Sequence, residues 1–198
     1  MFETYNKVQQ AVLETTLNLI IDKELQATSM SLIAKDSGVS TGNIYHYFNS
    51  KEDIINELYK AIVRFNGEYV TKDMTETDSI QTQFRKAWRN LIELGNMYPK
   101  GFRFIEQYSF SPYIYEQSKL EAYKDGWCGP LEKLYRKAVD EGVFVRLEPQ
   151  MMVQMHYGSI VYLLKGYQQN LLELTEDIAE QAVLACWNAV SLEKGWNE

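Results

Sequence analysis

Hydrophobic positions recur along the chain at intervals of three and four residues, which is the period of an amphipathic helix, whereas the alternation typical of strands is nearly absent. The first stripe consists of Val8, Val12, Leu19 and Ile20 and predicts a helix over about residues 3–23. Further helices are predicted over residues 30–37, 41–47, 51 to beyond 70, 78–98, 102–110, 113–141 (as one or two helices), 151–172 and 175–192. About nine helices without strands indicate an all-α protein, in which three or four helices form a small N-terminal part and the rest form a larger bundle.

Polar residues at the predicted helix starts support these boundaries. Ser40 and Ser50 each precede a helix, and serine is a favoured N-cap because its hydroxyl accepts a free backbone N–H. Asp53 follows Ser50 by three residues, in the manner of a capping box. Gly38 is the expected stop of the preceding short helix, since glycine commonly follows a helix C-terminus.

The composition is that of an ordinary globular protein, with 45% hydrophobic and 24% charged residues. No apolar stretch approaches the ~18–20 residues that span a bilayer, and the N-terminus lacks the pattern of a signal peptide. The two cysteines, Cys128 and Cys186, lie far apart and show no metal-binding spacing. We therefore expect a cytoplasmic protein that has no membrane partner, no metal site and no cofactor.

The net charge of −7 limits how the chain can bind nucleic acid. Even residues 1–65 carry six basic and eight acidic side chains, so no broad basic surface is expected there. Residues 28–51 are locally more favourable, with Lys35 and Lys51 against Asp36. Any contact with nucleic acid should therefore be local and geometric, with weak non-specific binding.

Residues 30–48 contain the parts of a helix-turn-helix, namely a short helix, a turn at Gly38 and a second short helix. At ~100° per residue, Ile44 and Phe48 fall on one face of the second helix and should point into the core. The opposite face and its flanks then present Gly42, Asn43, Tyr45, His46 and Tyr47.

Such a face suits the major groove of DNA. Asparagine can bond bidentately to adenine and histidine can donate to guanine, while tyrosine hydroxyls reach phosphates and hold the register. Hydroxyls and free N–H groups at a helix N-terminus also suit a phosphate. The predicted DNA contacts are Ser29, Ser40, Thr41, Gly42, Asn43, Tyr45, His46, Tyr47 and Lys51. The alternative is a helix face that is merely solvated, but exposed tyrosines and a glycine stabilise a short helix poorly.

Residues 28–53 read TSMSLIAKDSGVSTGNIYHYFNSKED, and this segment closely resembles the signature of the TetR family. The shared elements are Thr, Ile-Ala, Gly-Val-Ser, a glycine, two aromatic positions before Phe, and Ser-Lys-Glu. The resemblance implies a homodimer of nine- or ten-helix subunits, usually a repressor that a ligand in the C-terminal domain releases from its operator. By position it implies phosphate contacts from Thr41, Tyr45, Tyr47 and Lys51 and base contacts from Gly42, Asn43 and His46. The family often has Thr or Ser in place of Asn43, so no operator sequence is implied.

These inferences together predict two domains. Residues 1–50 are expected to form a helix-turn-helix DNA-binding domain, and residues 51–198 a helical bundle for ligand binding and dimerisation. Because no Gly/Ser-rich linker separates them, a continuous helix beginning after Ser50 should join the two.

Aromatic residues are concentrated in the larger part, where residues 66–198 hold ten Tyr, five Phe and all four Trp. A helical bundle lined by rings and a few polar groups is a common binding site for a small, mainly apolar molecule. The predicted ligand contacts are Trp88, Phe104, Tyr108, Tyr123, Trp127 and His156. The alternative for each is a place in an aromatic core, and Glu106 and His156 can equally be satisfied structural residues.

The last two predicted helices combine small and apolar residues, which allow helices to approach closely. Their sequences predict a homodimer interface over residues 151–171 and 176–192, with purely internal packing as the alternative.

Two other functions stay open. The first is an enzyme, but the sequence contains no nucleophile–base pairing and no phosphate loop that would support one. The second is a helix-turn-helix protein that no longer binds DNA and acts through a protein partner.

Overall fold

The structure of the protein is a computed structural model that describes residues 1–126 and 128–196. Its ten helices in the described residues are α1 (Lys7–Ala27), α2 (Met30–Ser37), α3 (Thr41–Tyr47), α4 (Lys51–Val70), α5 (Ile80–Met97), α6 (Pro99–Tyr108), α7 (Glu116–Asp125), α8 (Cys128–Asp140), α9 (Pro149–Gln168) and α10 (Glu176–Val190). The predicted all-α class is confirmed, and the stretch over residues 113–141 contains two helices. The described residues contain no strand, only an isolated bridge between Phe144 and Ser191.

The predicted helix caps are present. The Ser40 hydroxyl accepts the backbone N–H of Asn43 at 3.3 Å, and the Ser50 hydroxyl accepts that of Asp53 at 3.0 Å. Gly38 ends α2 with φ 69°, a left-handed conformation that glycine adopts without steric cost. The short polar side chains therefore fix where α3 and α4 begin.

The chain divides into two compact units. The first comprises Met1–Phe65 and Tyr98–Asp125, and the second comprises Asn66–Met97 and the described residues from 126 onward. The helix α4 contributes residues to both units. This division reflects which residues pack together, and it does not test the functional boundary after residue 50. That boundary stays a prediction.

The core of the first unit joins the helix-turn-helix to α6 and α7. Its fully or almost fully buried side chains include Leu13, Ile20, Ile33, Ile44, Ile55, Phe104, Tyr108, Ile114 and Ala122. Lys100 of α6 also donates to the Asn18 amide oxygen of α1 at 2.6 Å. The first three helices thus share their hydrophobic core with α4, α6 and α7.

A kink interrupts α1 at Glu24, which has φ 68° and ψ 160°. The kink lies where the hydrophobic stripe predicts the helix to end. The backbone N–H of the next residue, Leu25, donates to the Tyr108 hydroxyl of α6 at 3.4 Å. A side chain of α6 therefore contacts the segment that leads from α1 into α2.

The second unit packs α5, α8, α9 and α10 around an aromatic core. Phe84, Trp88, Tyr135, Phe144 and Trp187 are all buried there. The segment after α8 pairs with the end of α10, because Val145 N–H donates to the Val190 carbonyl at 2.8 Å. None of the helices in the described part of the chain combines the length and apolar character that a membrane span requires.

Candidate DNA-binding surface and ligand site

The orientation of α3 follows from two buried anchors. Ile44 is 0% exposed and Phe48 is 2% exposed, and both belong to the core of the first unit. Ile33 of α2 is buried in the same core. The angular prediction from the sequence is therefore confirmed for the inward face of α3.

The remaining face of α3 is exposed. Its exposed residues are Thr41, Gly42, Asn43, Tyr45, His46 and Tyr47. Tyr45 and Tyr47 expose 51% and 38% of their surface, large values for aromatic side chains. A Cβ placed on Gly42 would meet no atom within 4 Å, so close packing inside the chain does not require glycine at this position.

The histidine and tyrosine of this face are in contact with each other. The rings of His46 and Tyr47 meet edge to face, with centroids 4.9 Å apart. Such a contact favours one mutual orientation of the two exposed rings.

The predicted phosphate contacts fall into two groups. Ser29 and Ser40 are helix N-caps, since their hydroxyl oxygens accept the N–H groups of Leu32 and Asn43 at 3.3 Å. Because each oxygen acts as an acceptor there, the Ser40 proton can still be donated to another group, whereas the Ser29 hydroxyl also lies 3.0 Å from that of Ser31. Thr41 and the two tyrosines are exposed without this capping role.

Lys51 is more constrained than the sequence indicates. Its ammonium donates to the Leu25 carbonyl at 3.4 Å, and the residue is only half-exposed. A contact with a phosphate would have to compete with this carbonyl. Lys35, in contrast, is an exposed cation of α2.

Asp53, two residues after Lys51 in the chain, uses its carboxylate for hydrogen bonds within the protein. The Asp53 carboxylate accepts the backbone N–H of Asn49 at 2.9 Å and its side-chain amide at 3.1 Å. The carboxylate thus serves the turn between α3 and α4. Its charge also lies in the first turn of α4, where the helix dipole favours an anion.

The predicted ligand residues are distributed over both units. Trp88 and His156 lie in the second unit, and Phe104, Tyr108 and Tyr123 lie in the first. Phe104 and Tyr108 are buried in the core that contains Ile33 and Ile44, whereas Tyr123 is 38% exposed. Trp127 lies outside the described residues.

Trp88 and His156 are joined by a side chain that sequence reasoning missed. The Trp88 indole N–H donates to the Tyr135 hydroxyl at 2.9 Å, and that hydroxyl lies 2.5 Å from Nδ1 of His156. All three residues are buried. The only local signal for Tyr135 is its place on the apolar face of α8, beside Leu131 and Ala138.

Burial determines the protonation of this trio. Desolvation raises the pKa of Tyr135 well above its usual value, against the opposing hydrogen bond from Trp88. Burial lowers the pKa of His156 to about 4, so its ring is neutral at physiological pH. The trio is therefore an uncharged hydrogen-bonded chain in an aromatic environment.

The grooves on the surface have a different chemistry. A groove of about 400 Å³ along α5 is lined by Arg85, Lys86, Arg89 and Trp196 among other residues. Its cations are paired with carboxylates, for example Lys86 with Asp78 at 2.9 Å. The described residues contain no cluster of side chains that could hold a metal ion. This groove does not suit a mainly apolar ligand.

Two family models together match almost the whole chain. The model described as "Bacterial regulatory proteins, tetR family" matches residues 12–58. The model described as "Tetracyclin repressor-like, C-terminal domain" matches residues 58–192. The second match alone covers more than half of the chain.

Individual proteins are also similar to this chain over most of its length. An uncharacterised HTH-type transcriptional regulator from Haemophilus influenzae is 20% identical over 192 residues, which are 96% of this chain and 99% of the relative. The crystal structure of a TetR family transcription regulator from Marinobacter aquaeolei VT8 has a TM-score of 0.86 at 20% identity and covers 96% of this chain and 99% of that one.

A third protein, AibR, was solved in complex with isovaleryl coenzyme A and operator DNA. It has a TM-score of 0.74 at 22% identity and covers 89% of this chain and 96% of that one. At these identities the solved structures show a common fold. The family models, the helix-turn-helix geometry and the all-α architecture lead to one conclusion: the chain is a helix-turn-helix transcriptional regulator and belongs to the TetR family.

Proposed function

We propose that this regulator is a homodimeric repressor that binds a palindromic operator through α3 and is released by a small, mainly apolar molecule. In this proposal residues 1–50 bind DNA, and residues 51–198 bind the ligand and form the dimer. The observation that carries the proposal is the division of α3 into a buried face and an exposed polar and aromatic face.

The exposed face supplies both kinds of contact that a DNA reader needs. Asn43 and His46 carry groups that can bond to base edges, and Gly42 allows the helix backbone to approach them. The hydroxyls of Tyr45 and Tyr47 reach phosphates from the flanks. Ser29, Ser40, Thr41 and Lys51 add phosphate contacts at the helix starts, with Lys51 leaving the Leu25 carbonyl to do so.

Two helices of the second unit offer a surface for a partner subunit. On α9, Met151, Met155, Gly158 and Tyr162 are exposed at intervals of four, three and four residues, so they form one stripe. Met155 and Tyr162 expose 63% and 80% of their surface. A Cβ on Gly158 would meet nothing within 4 Å, which leaves room for a second helix to approach.

The stripe on α10 is made of small residues, with Ala185 and Ala189 exposed. Other apolar residues of the two helices, including Met152, Ile160, Val183 and Val190, are buried within the subunit. Pairing α9 and α10 of one subunit with the same helices of a second copy would bury the exposed stripes in a four-helix interface.

The effector must bind the two arrangements of the regulator differently. A ligand that prefers the arrangement unable to bind DNA by about 1–3 kcal/mol changes operator affinity by about 5- to 150-fold. The helix α4 is the proposed lever, because it starts at Lys51 beside α3 and contributes residues to both compact units. The buried aromatic residues of the second unit favour a mainly apolar effector.

The test of DNA reading compares base contacts with phosphate contacts. Operator sequences are selected from a random DNA pool with the wild-type protein, and affinities are then measured by fluorescence anisotropy. Asn43→Ala should cost about 1–3 kcal/mol and relax the preference at one base pair of each half-site. Tyr45→Phe and Tyr47→Phe should weaken binding to all sequences equally, because phosphates carry no sequence information.

Gln107→Ala is the matched control, since Gln107 is exposed on α6 outside the helix-turn-helix. It should bind every sequence as the wild-type protein does. If Asn43→Ala kept both the affinity and the base preference of the wild type, Asn43 would not read the operator.

A further inference from the structure

The aromatic core of the second unit contains more hydrogen-bond donors than acceptors. Its polar side chains are Trp88, Tyr135, His156 and Trp187, all buried. The ring of Phe84 contacts all four of these residues, with centroid distances between 5.3 Å to Trp187 and 6.2 Å to Trp88. The cluster is therefore compact enough for one bound molecule to touch several of its members.

The direction of each bond follows from counting protons. The Trp88 indole can only donate, so the Tyr135 oxygen accepts its N–H. The single proton of Tyr135 then goes to Nδ1 of His156, because the described residues offer this hydroxyl no other acceptor. A neutral imidazole with Nδ1 as acceptor carries its own proton on Nε2. The network thus sets the tautomer of His156.

Two donors remain without an acceptor. No described residue accepts from Nε2 of His156, and the indole N–H of Trp187 is likewise without a partner in the described part of the chain. Both residues are buried, His156 being 4% and Trp187 2% exposed, but of the two N–H groups only that of Trp187 is among the fully buried polar atoms without a partner. Edge-to-face contacts of His156 with Phe84 and Trp88, with centroids 5.7 Å apart, supply at most weak N–H···π bonds.

We infer that Nε2 of His156 donates a hydrogen bond to a neutral carbonyl oxygen of the effector, so that the effector is an apolar carbonyl compound such as a ketone, ester or thioester. This inference rests on the proposed ligand-released function and adds the chemistry of the ligand. A neutral carbonyl fits better than a carboxylate, because burying a charge among aromatic side chains is costly. Burial also holds the pKa of His156 at about 4, which keeps the donor uncharged.

The first test is the tautomer of His156 in the free protein. The chain has two histidines, and the exposed His46 gives a second signal that substitution assigns. A long-range ¹H–¹⁵N spectrum of the histidine-labelled protein should show His156 neutral with its proton on Nε2. A proton on Nδ1 would overturn the inference, because Nε2 would then be an acceptor.

The second test uses matched pairs of probes. Straight-chain methyl ketones of increasing length are each compared with the alkene in which a CH₂ group replaces the carbonyl oxygen. At least one ketone should bind the wild-type protein about 10- to 100-fold more tightly than its alkene, as measured by calorimetry, because only the ketone satisfies the buried donor. Equal binding within every pair, or no binding of any ketone, would overturn the inference.

Two variants distinguish the loss of the hydrogen-bond donor of His156 from a general disturbance of the fold. His156→Gln can place an amide N–H near the position of Nε2 and should keep a preference for the ketone. His156→Phe removes the donor and should bind ketone and alkene equally. If His156→Phe kept the wild-type preference, the hydrogen bond would not come from His156.

Operator affinity without any probe is measured for all three proteins. A wild-type protein that binds no operator in the absence of a probe would contradict the proposed function. A wild-type protein that binds its operator but shows no ketone preference would contradict the present inference alone.

Discussion

Glu24 shows how a single backbone conformation is maintained by its surroundings. With φ 68° and ψ 160°, it occupies a region that glycine adopts readily and that costs other residues about 1–3 kcal/mol. Its neighbour Leu25 is 2% exposed and bonded to Tyr108, and Thr28 donates its hydroxyl to the Glu24 carbonyl at 3.0 Å. These contacts fix the direction in which the chain leaves α1 for the helix-turn-helix.

Replacing Glu24 with glycine should therefore raise the free energy of unfolding. We expect a gain of about 1 kcal/mol for Glu24→Gly, less than the full strain because glycine also makes the unfolded chain more flexible. Urea denaturation measures the change. The matched control is Glu14→Gly, which lies in the regular part of α1 and should lower stability by about 1 kcal/mol. Equal losses for both variants would show that Glu24 is not strained.

Among the helices, α4 is linked to the segment before α7 by one buried amide. The Asn56 side chain donates to the Glu52 carbonyl at 2.8 Å and to the Tyr113 carbonyl at 3.0 Å, and its oxygen accepts the Tyr115 N–H at 2.8 Å. Asn56 is 3% exposed, so water cannot replace these bonds easily. This amide fixes the position of residues 113–115 against α4.

Truncation of Asn56 removes only a small side chain but should destabilise the protein strongly. Asn56→Ala leaves buried backbone groups of residues 113–115 unpaired and should cost about 2–3 kcal/mol of unfolding free energy. Asn96→Ala, at an exposed position of α5, should change stability by less than about 0.5 kcal/mol. The proposed link between α4 and residues 113–115 would be wrong if the two variants unfolded at the same urea concentration.

The helices and caps of the helix-turn-helix could be predicted because their causes are local. Ser40, Ser50 and Gly38 act on groups within three residues of themselves, so the sequence alone reveals them. Ile44 and Phe48 are placed by the helical period, which fixes the exposed face of α3 as well.

Contacts between distant residues could not be predicted in the same way. Tyr135 lies 47 residues from Trp88 and 21 from His156, and no local pattern indicates that they meet. Periodicity indicates that Phe104 and Tyr108 are buried, but it does not say that they share a core with Ile33 of the helix-turn-helix. Only the packing of α6 on α1 provides that information.

For the molecule as a whole, the net charge of −7 provides little electrostatic attraction to DNA. Operator affinity should therefore depend mainly on the geometry of the contacts. A single helix-turn-helix with few cations should bind DNA weakly. Two copies of the helix-turn-helix held at a fixed spacing can bind two half-sites at once, and the second contact is then strengthened by its high effective concentration. The proposed dimer through α9 and α10 is therefore central to the proposed function.

The most direct test measures subunit association and operator protection on the same samples. The wild-type protein should sediment as a dimer at micromolar concentration and protect a near-palindromic site, with half-site centres about 34–36 Å apart or slightly more. Met155→Glu places a charge in the proposed interface and should give monomers that bind the operator at least about tenfold more weakly. Leu120→Glu, at an exposed position of α7, should behave as the wild type. A wild-type monomer, or a Met155→Glu monomer with full operator affinity, would contradict the account.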